Sequence, residues 1–341
     1  MTGEKNSQET LEMVQRINRG ARIVINDWLR LKPWEKLLIV TSDDHAKEAE
    51  VLRRYAQKRH ASVDLMIVEK KGIKVGMFFD ENETIFDGYK AIIGATDYSL
   101  VTTLAAKRAI ARGSKYLSLP LHTNDKVSML AYDFMTMDTK KSKLMSKIIM
   151  SYLNDSNTIR VETRSGTRLT FGKQGREAGF FNGVVKDGKG YSSASIEVYI
   201  PIEETKTQGT MIVDGSFGYL GKLHQNVRIE FTDGKVTFIE DNADGKRLKN
   251  YFESFGDPRM YIGAELGIGL NSLSRCLGNC YIEDESAYGT FHIGFGRNLA
   301  LGGVQEASGH FDIVSFDPDI YADNRKIMEQ GRIIVPTPII Y

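Results

Sequence analysis

Two kinds of hydrophobic pattern divide the chain. Over residues 8–31, Leu11, Val14, Ile17, Ala21, Ile25 and Leu29 recur at helical spacing, and Lys32-Pro33 ends the run. Leu37-Leu38-Ile39-Val40 is continuously apolar, as expected of a strand buried on both faces. Ser42-Asp43-Asp44 offers N-caps for a helix through Arg59. Further strands are predicted at 63–68, 91–95 and 116–120, with helices at 99–112 and 125–153. Strands alternating with helices imply a parallel sheet covered by helices, so residues 1–155 read as a Rossmann-like or flavodoxin-like α/β domain.

Near Asn154-Asp155-Ser156-Asn157 the period changes. Residues 159–163 and 168–171 alternate polar and apolar around Ser165-Gly166, and residues 227–231 and 236–239 do so around Asp233-Gly234. Both read as hairpins. A helix is expected over 244–255, a hairpin over 320–329 and a closing strand at 333–335. Residues 156–341 are therefore expected to form a largely antiparallel, β-rich domain, and the whole chain an α/β domain followed by an α+β one.

Composition narrows the chemistry. The chain has 341 residues, 41% hydrophobic and 26% charged, with a formal net charge of +1. Nothing in that balance calls for nucleic acid or an anionic membrane. No apolar run reaches the ~20 residues of a spanning helix, and the N-terminus carries no signal-peptide core, so a cytoplasmic protein is expected. The two cysteines, Cys276 and Cys280, have no second pair for a zinc finger. They read as reduced thiols, with a local disulfide as the alternative. No glycine-rich phosphate loop follows the first strand, where Thr41-Ser42-Asp43-Asp44 stands instead, so no nucleotide cofactor is expected. Asp97 and Tyr98 follow the third strand, and Asp97 reads as a cap for the next helix.

Polar residues inside apolar strands are the informative exceptions. Glu197 lies in Ile196-Glu197-Val198-Tyr199-Ile200, and Glu265 in Ala264-Glu265-Leu266. His292 lies in Phe291-His292-Ile293, and His310 and Asp312 bracket Phe311. In a strand, His310 and Asp312 share a face, about 7 Å apart along the backbone. A buried carboxylate is costly unless paired or metal-bound. Two glutamates, two histidines and an aspartate supply ligands for one or two divalent ions, or fill unrelated structural roles. The neighbouring glycines (Gly263, Gly267, Gly269, Gly294, Gly296) let backbones crowd around a site or form bulges.

These segments resemble the aminopeptidase T family of metallopeptidases. The resemblance covers the C-terminal half and is looser over the N-terminal one. It implies that Glu197, Glu265, His292, His310 and Asp312 hold two metal ions (zinc, cobalt or manganese). It also implies that Glu265 or Glu285 shuttles a proton, that the substrate is a small peptide, and that the protein is a homodimer. On this reading the chain is a metalloaminopeptidase. It departs from the peptidases at Leu299, where they carry a tyrosine seven residues after the first histidine. The compact branch of the family includes 2,5-dihydroxypyridine dioxygenases, which use one iron(II) held by two histidines and an aspartate. In those enzymes a histidine replaces the residue at the Glu265 position. The first alternative is therefore a mononuclear iron(II) dioxygenase using His292, His310 and Asp312 or a subset of them. The second is a non-catalytic peptide-binding relative.

Overall fold

The computed structural model describes residues 2–69, 72–188 and 190–336. The first elements in chain order are α1 (Thr2–Arg22), β1 (Lys36–Ser42), α2 (Ala46–Gln57), β2 (Ser62–Val68) and α3 (Val75–Glu81). Next come β3 (Ala91–Ala95), α4 (Leu104–Ala111), β4 (Lys115–Ser118), α5 (Thr139–Asn154), β5 (Thr158–Glu162) and β6 (Arg168–Gly172). They are followed by β7 (Gly179–Asn182), β8 (Tyr191–Ser193), β9 (Ile196–Pro201), β10 (Gln208–Val213), β11 (Val227–Thr232) and β12 (Lys235–Ile239). The chain continues through α6 (Ala243–Ser254), β13 (Gly263–Gly269), α7 (Tyr281–Ser286), β14 (Thr290–Gly296) and β15 (His310–Phe316). It ends with β16 (Asp319–Ala322), β17 (Arg325–Glu329) and β18 (Arg332–Ile333).

Two compact units result: residues 1–137 with 182–194, and residues 138–181 with 195–341. The first is built on a parallel sheet in the order β2-β1-β3-β4-β8. Residues Leu37 to Ser42 of β1 and all of β3 are buried, as a sheet covered on both faces requires. Leu38, Val40, Phe79, Phe86, Ile92 and Tyr116 form the core of one face.

The second unit holds two antiparallel sheets. The larger runs β12-β11-β10-β6-β5-β16-β17-β18, and the smaller β15-β14-β13-β9-β7. In the larger sheet, β6 and β11 alternate buried with more exposed positions. The Asp233-Gly234 hairpin forms as expected, with both residues at positive φ (49° and 83°), the backbone a two-residue turn needs. In the smaller sheet, β9, β13 and β14 are buried at every position. Their polar residues therefore lie on an enclosed face, which is where the site forms.

Several expectations are corrected. The division does not fall at 155/156. Helix α5 belongs to the second unit, where the buried Lys173 donates through Nζ to the carbonyls of Leu153 (2.8 Å) and Asn154 (3.2 Å) at its C-terminal end. Residues 182–194 return to the first unit because β8 completes its sheet beside β4. No helix spans 125–153. Two short turns, Met129–Ala131 and Asp133–Thr136, bury Met129, Leu130, Phe134 and Met135 before α5 starts at its cap Asp138. Clustered apolar residues packed by short turns mimic helical spacing. The helix expected at 99–112 begins only at Leu104, and the strand expected at 333–335 is Arg332–Ile333. Both cysteines are free thiols. Among the described residues no helix is long and apolar enough to cross a membrane.

Asp97 does not cap α4. Thr103 does, its side chain accepting from Ala106 N, while Asp97 Oδ1 lies 2.7 Å from His45 Nε2. Thr103→Ala is accordingly expected to lower stability by about 1 kcal/mol. A fall in the urea midpoint with an unchanged slope is the measurement that checks it.

Candidate metal centre

The site grows out of the register of the smaller sheet. Glu197 on β9 stands opposite Gly269 on β13, and His292 on β14 opposite Gly267. Gly294 on β14 lies between Glu265 on β13 and Asp312 on β15. Side chains two apart share a face, so Glu265, Gly267 and Gly269 line up, as do His292, Gly294 and Gly296, and His310 and Asp312. The opposite face carries Leu266, Ile268, Ile293, Phe295, Phe311 and Ile313, which anchor the strands in the core. Donors and glycines alternate on one side, with hydrocarbon on the other.

The glycines are spaces for donors. A Cβ on Gly294 would lie 2.7 Å from Glu265 Oε2, 2.8 Å from His310 Cε1 and 2.9 Å from Asp312 Oδ1. One on Gly267 would collide with the His292 ring.

Two triplets of ligand atoms converge: Glu197, Glu265 and His292, and Glu265, His310 and Asp312. Glu265 belongs to both. His310 Nε2 lies 3.1 Å from Glu265 Oε2 and 3.1 Å from Asp312 Oδ1. Its Nδ1 lies 2.8 Å from the Arg297 carbonyl, which only a protonated nitrogen can satisfy, so Nε2 is the atom directed at the carboxylates. Ser195 Oγ donates to Glu197 Oε1 (2.7 Å), and Glu197 Oε2 lies 2.9 Å from His292 Nε2. That last approach is an ion pair without aligned hydrogen-bond geometry. Among the described residues neither Glu197 Oε2 nor His292 Nδ1 has a hydrogen-bond partner. Unsatisfied buried donors, a glycine cradle and a mixed nitrogen and oxygen set together fit a divalent metal ion.

The fourth acidic residue of the sequence reading, Glu285, sits on α7 beside the site but in neither triplet. Burial, and then the charges of Glu197, Asp312 and Glu265, push its carboxyl well above the usual carboxylate range. Burial also raises Glu265, against the pull of His310. Burial works to lower both imidazoles, but the carboxylates win. Glu197 first takes His292 up to about 9, and Asp312 first takes His310 well above its ordinary value. Burial would raise Asp312 too, yet the charge of His310 holds it low.

Composition and spacing did not reveal Ser195, Tyr281 or Ser286. The Tyr281 phenol reaches the carboxylates of both Glu285 and Asp312. Ser286 Oγ accepts from Ile196 N (2.9 Å) and so ties α7 to the strand that carries Glu197. The four-residue spacing from Tyr281 to Glu285 was the available signal, since it places both on one side of a helical turn. Tyr288 serves elsewhere: its hydroxyl accepts from Ile333 N. Of the set His292, His310 and Asp312, or a subset of it, expected for a dioxygenase, His310 and Asp312 fall in one triplet and His292 in the other. The third member of the triplet with His310 and Asp312 is Glu265.

A sequence model of the NicX family, 2,5-dihydroxypyridine 5,6-dioxygenase, matches residues 121–335, more than half of the chain. The chain belongs to the NicX family. The 2,5-dihydroxypyridine 5,6-dioxygenase of Pseudomonas putida is 24% identical over 145 residues, which make up 39% of this chain and 41% of that enzyme. The chain thus matches about two fifths of that relative's length. In fold, the NicX-family chain is similar to the 2,5-dihydroxypyridine dioxygenase of Pseudomonas putida, with a TM-score of 0.77 and 15% identity over 94% of this chain and 97% of that one. It is also similar to AmpT from Thermus thermophilus, with a TM-score of 0.66 and 13% identity over 94% and 99%.

The aminopeptidase reading, with its hydrolytic chemistry and peptide substrate, is overturned by the family match and by the named sequence relative. The error has a structural cause. Aminopeptidase T and the dioxygenase share this fold, so residues placed by the fold do not discriminate between their reactions.

Two outcomes follow from the site's packing. Gly294→Ala is expected to weaken divalent-metal binding at least tenfold while leaving the circular dichroism spectrum unchanged, as read by titration against a chelator. Asp284, on α7, is raised to about 7 mainly by burial, and its Oδ1 accepts from Leu277 N and Gly278 N. A carboxyl raised in the fold stays protonated there while the unfolded chain ionises. Its contribution is complete below about pH 4 and is lost as pH rises through about 7, at up to about 1.4 kcal/mol per unit. Asp284→Asn is expected to flatten the dependence of melting temperature on pH between 4 and 7.

Proposed function

We propose that this chain is an iron(II)-dependent dioxygenase that opens a hydroxylated pyridine ring. The observation that carries the reading is the Glu265, His310 and Asp312 triplet, which lies within the span matched to the NicX family. Bound iron(II) would supply the redox chemistry by which dioxygen adds across an electron-rich ring, both oxygen atoms ending in the opened product.

The chain's own residues support one ion at this triplet. Glu197 and His292 neutralise each other as an ion pair. Burial and the charges of Glu197, Asp312 and Glu265 favour the neutral form of Glu285. Glu265 and Asp312 then balance a single divalent cation, with His310 as a neutral nitrogen ligand whose proton the cation replaces. Glutamate at 265, where the dioxygenases are expected to carry histidine, makes the set harder, with one nitrogen and two carboxylates. The Glu197–His292 pair adjoins the triplet through Glu265 and is suited to hold the charge of a ring hydroxyl as it loses its proton.

Anaerobic reconstitution with iron(II), followed by oxygen-electrode assays with 2,5-dihydroxypyridine, tests this. One iron per chain is expected, with oxygen uptake matching substrate loss and no hydrolysis of amino-acid anilides. His310→Ala should abolish both iron retention and oxygen uptake. Two ions per chain would overturn the mononuclear assignment. An iron-loaded protein without oxygen uptake on any hydroxypyridine would overturn the reaction.

A further inference from the structure

Helix α7 brings a phenol into the carboxylate cluster. Tyr281 opens the helix and is 6% exposed, and Glu285 follows it by one helical turn. Its ring lies 4.2 Å from that of Tyr219, with the planes inclined at 36°. The loop carrying Tyr219 is pressed against β15 through Gly218, whose φ is +47°. A Cβ there would stand 2.6 Å from the Asp312 carbonyl, 3.3 Å from the Phe311 ring and 3.6 Å from Tyr281 Cδ2. Glycine, loop, tyrosine and aspartate therefore pack as one block. Within it the Tyr281 side chain reaches two carboxylates, Asp312 and Glu285.

We propose that Tyr281 is a positioning residue of the metal centre, which fixes the rotation of the Asp312 carboxylate so that one oxygen stays directed at the ion. The proposal rests on the reading that Asp312 is a metal ligand. Asp312 Oδ1 has His310 Nε2 at 3.1 Å on one side. A short carboxylate held by an imidazole alone can turn about its Cβ–Cγ bond, and a phenol donor limits that turning. Glu285, whose protonated form its surroundings favour, can donate to the phenol oxygen and so leave the single phenol hydrogen for Asp312. Tyr219 holds the ring in place by stacking. Outer partners of this kind typically change metal affinity by about 10–100-fold.

The test compares three variants of the full chain, with iron(II) and cobalt(II) as probes. Tyr281→Phe keeps the ring and removes the hydroxyl. It is expected to weaken both metals by 10–100-fold in chelator competition and to shift the visible cobalt spectrum, with the melting temperature of the metal-free protein unchanged. Tyr219→Phe is expected to bind both metals within threefold of wild type. His310→Ala is the control on the site itself. If it binds metal like wild type, the reading of the centre fails. If His310→Ala loses the metal while Tyr281→Phe keeps wild-type affinity and an unshifted cobalt spectrum, the Tyr281 proposal is overturned and the centre stands. If Tyr281→Phe unfolds, a wild-type cobalt spectrum in Tyr281→His would overturn the proposal, and a shifted one would support it.

Discussion

Three carboxylates share one enclosed face of a β-sheet and a fourth, on α7, joins them, and much of the second unit follows from that crowding. Glu197, Glu265, Asp312 and Glu285 are each nearly or fully withdrawn from water. Buried like charges repel in a medium that screens them poorly, so such a group persists only with cations or protons among its members. The two histidines are that counter-charge in the metal-free chain, which is why both imidazoles rise against the effect of burial. The apolar reverse face of β13, β14 and β15 provides the packing that holds the donors in place.

The donors themselves were legible because each interrupts an apolar run, and burial on a strand is readable from its neighbours. Glu197, Glu265, His292, His310 and Asp312 stood out for that reason, and the fold brings them together. Their grouping was not legible. Whether His292 or Glu265 joins His310 and Asp312 depends on cross-strand register, which local spacing does not encode. Tyr281 lies on a six-residue helix too short to show a period, so its one signal was the four-residue spacing to Glu285. The β8 edge of the parallel sheet was hidden because Tyr191-Ser192-Ser193 has no strand-like hydrophobicity and gains its place from β4. Around residues 125–138 the apolar content was read correctly, and the wrong local geometry was assigned to it.

The aminopeptidase reading failed at the reaction, although the fold does bring the five residues together. A set of carboxylates and imidazoles on this sheet suits hydrolysis with two ions as readily as oxygen chemistry with one. The distinction lies in how charge is shared between them. Glu265 stands at the junction of the two triplets, so its charge is the one that both groups of ligand atoms share.

The path of the chain between β7 and β9 has a consequence for synthesis. Residues 182–194 leave the second unit, add β8 to the edge of the parallel sheet, and re-enter as the strand that carries Glu197. A ribosome therefore delivers α5 and β5 to β7 before the first unit owns its last strand. Until residue 193 emerges, β4 is an open edge with unpaired backbone groups, the kind of surface on which nascent chains associate wrongly. The N-terminal sheet is complete only after α5 and β5 to β7 have been made. One short excursion of the polypeptide ties the closing of that edge to the arrival of the first glutamate of the site.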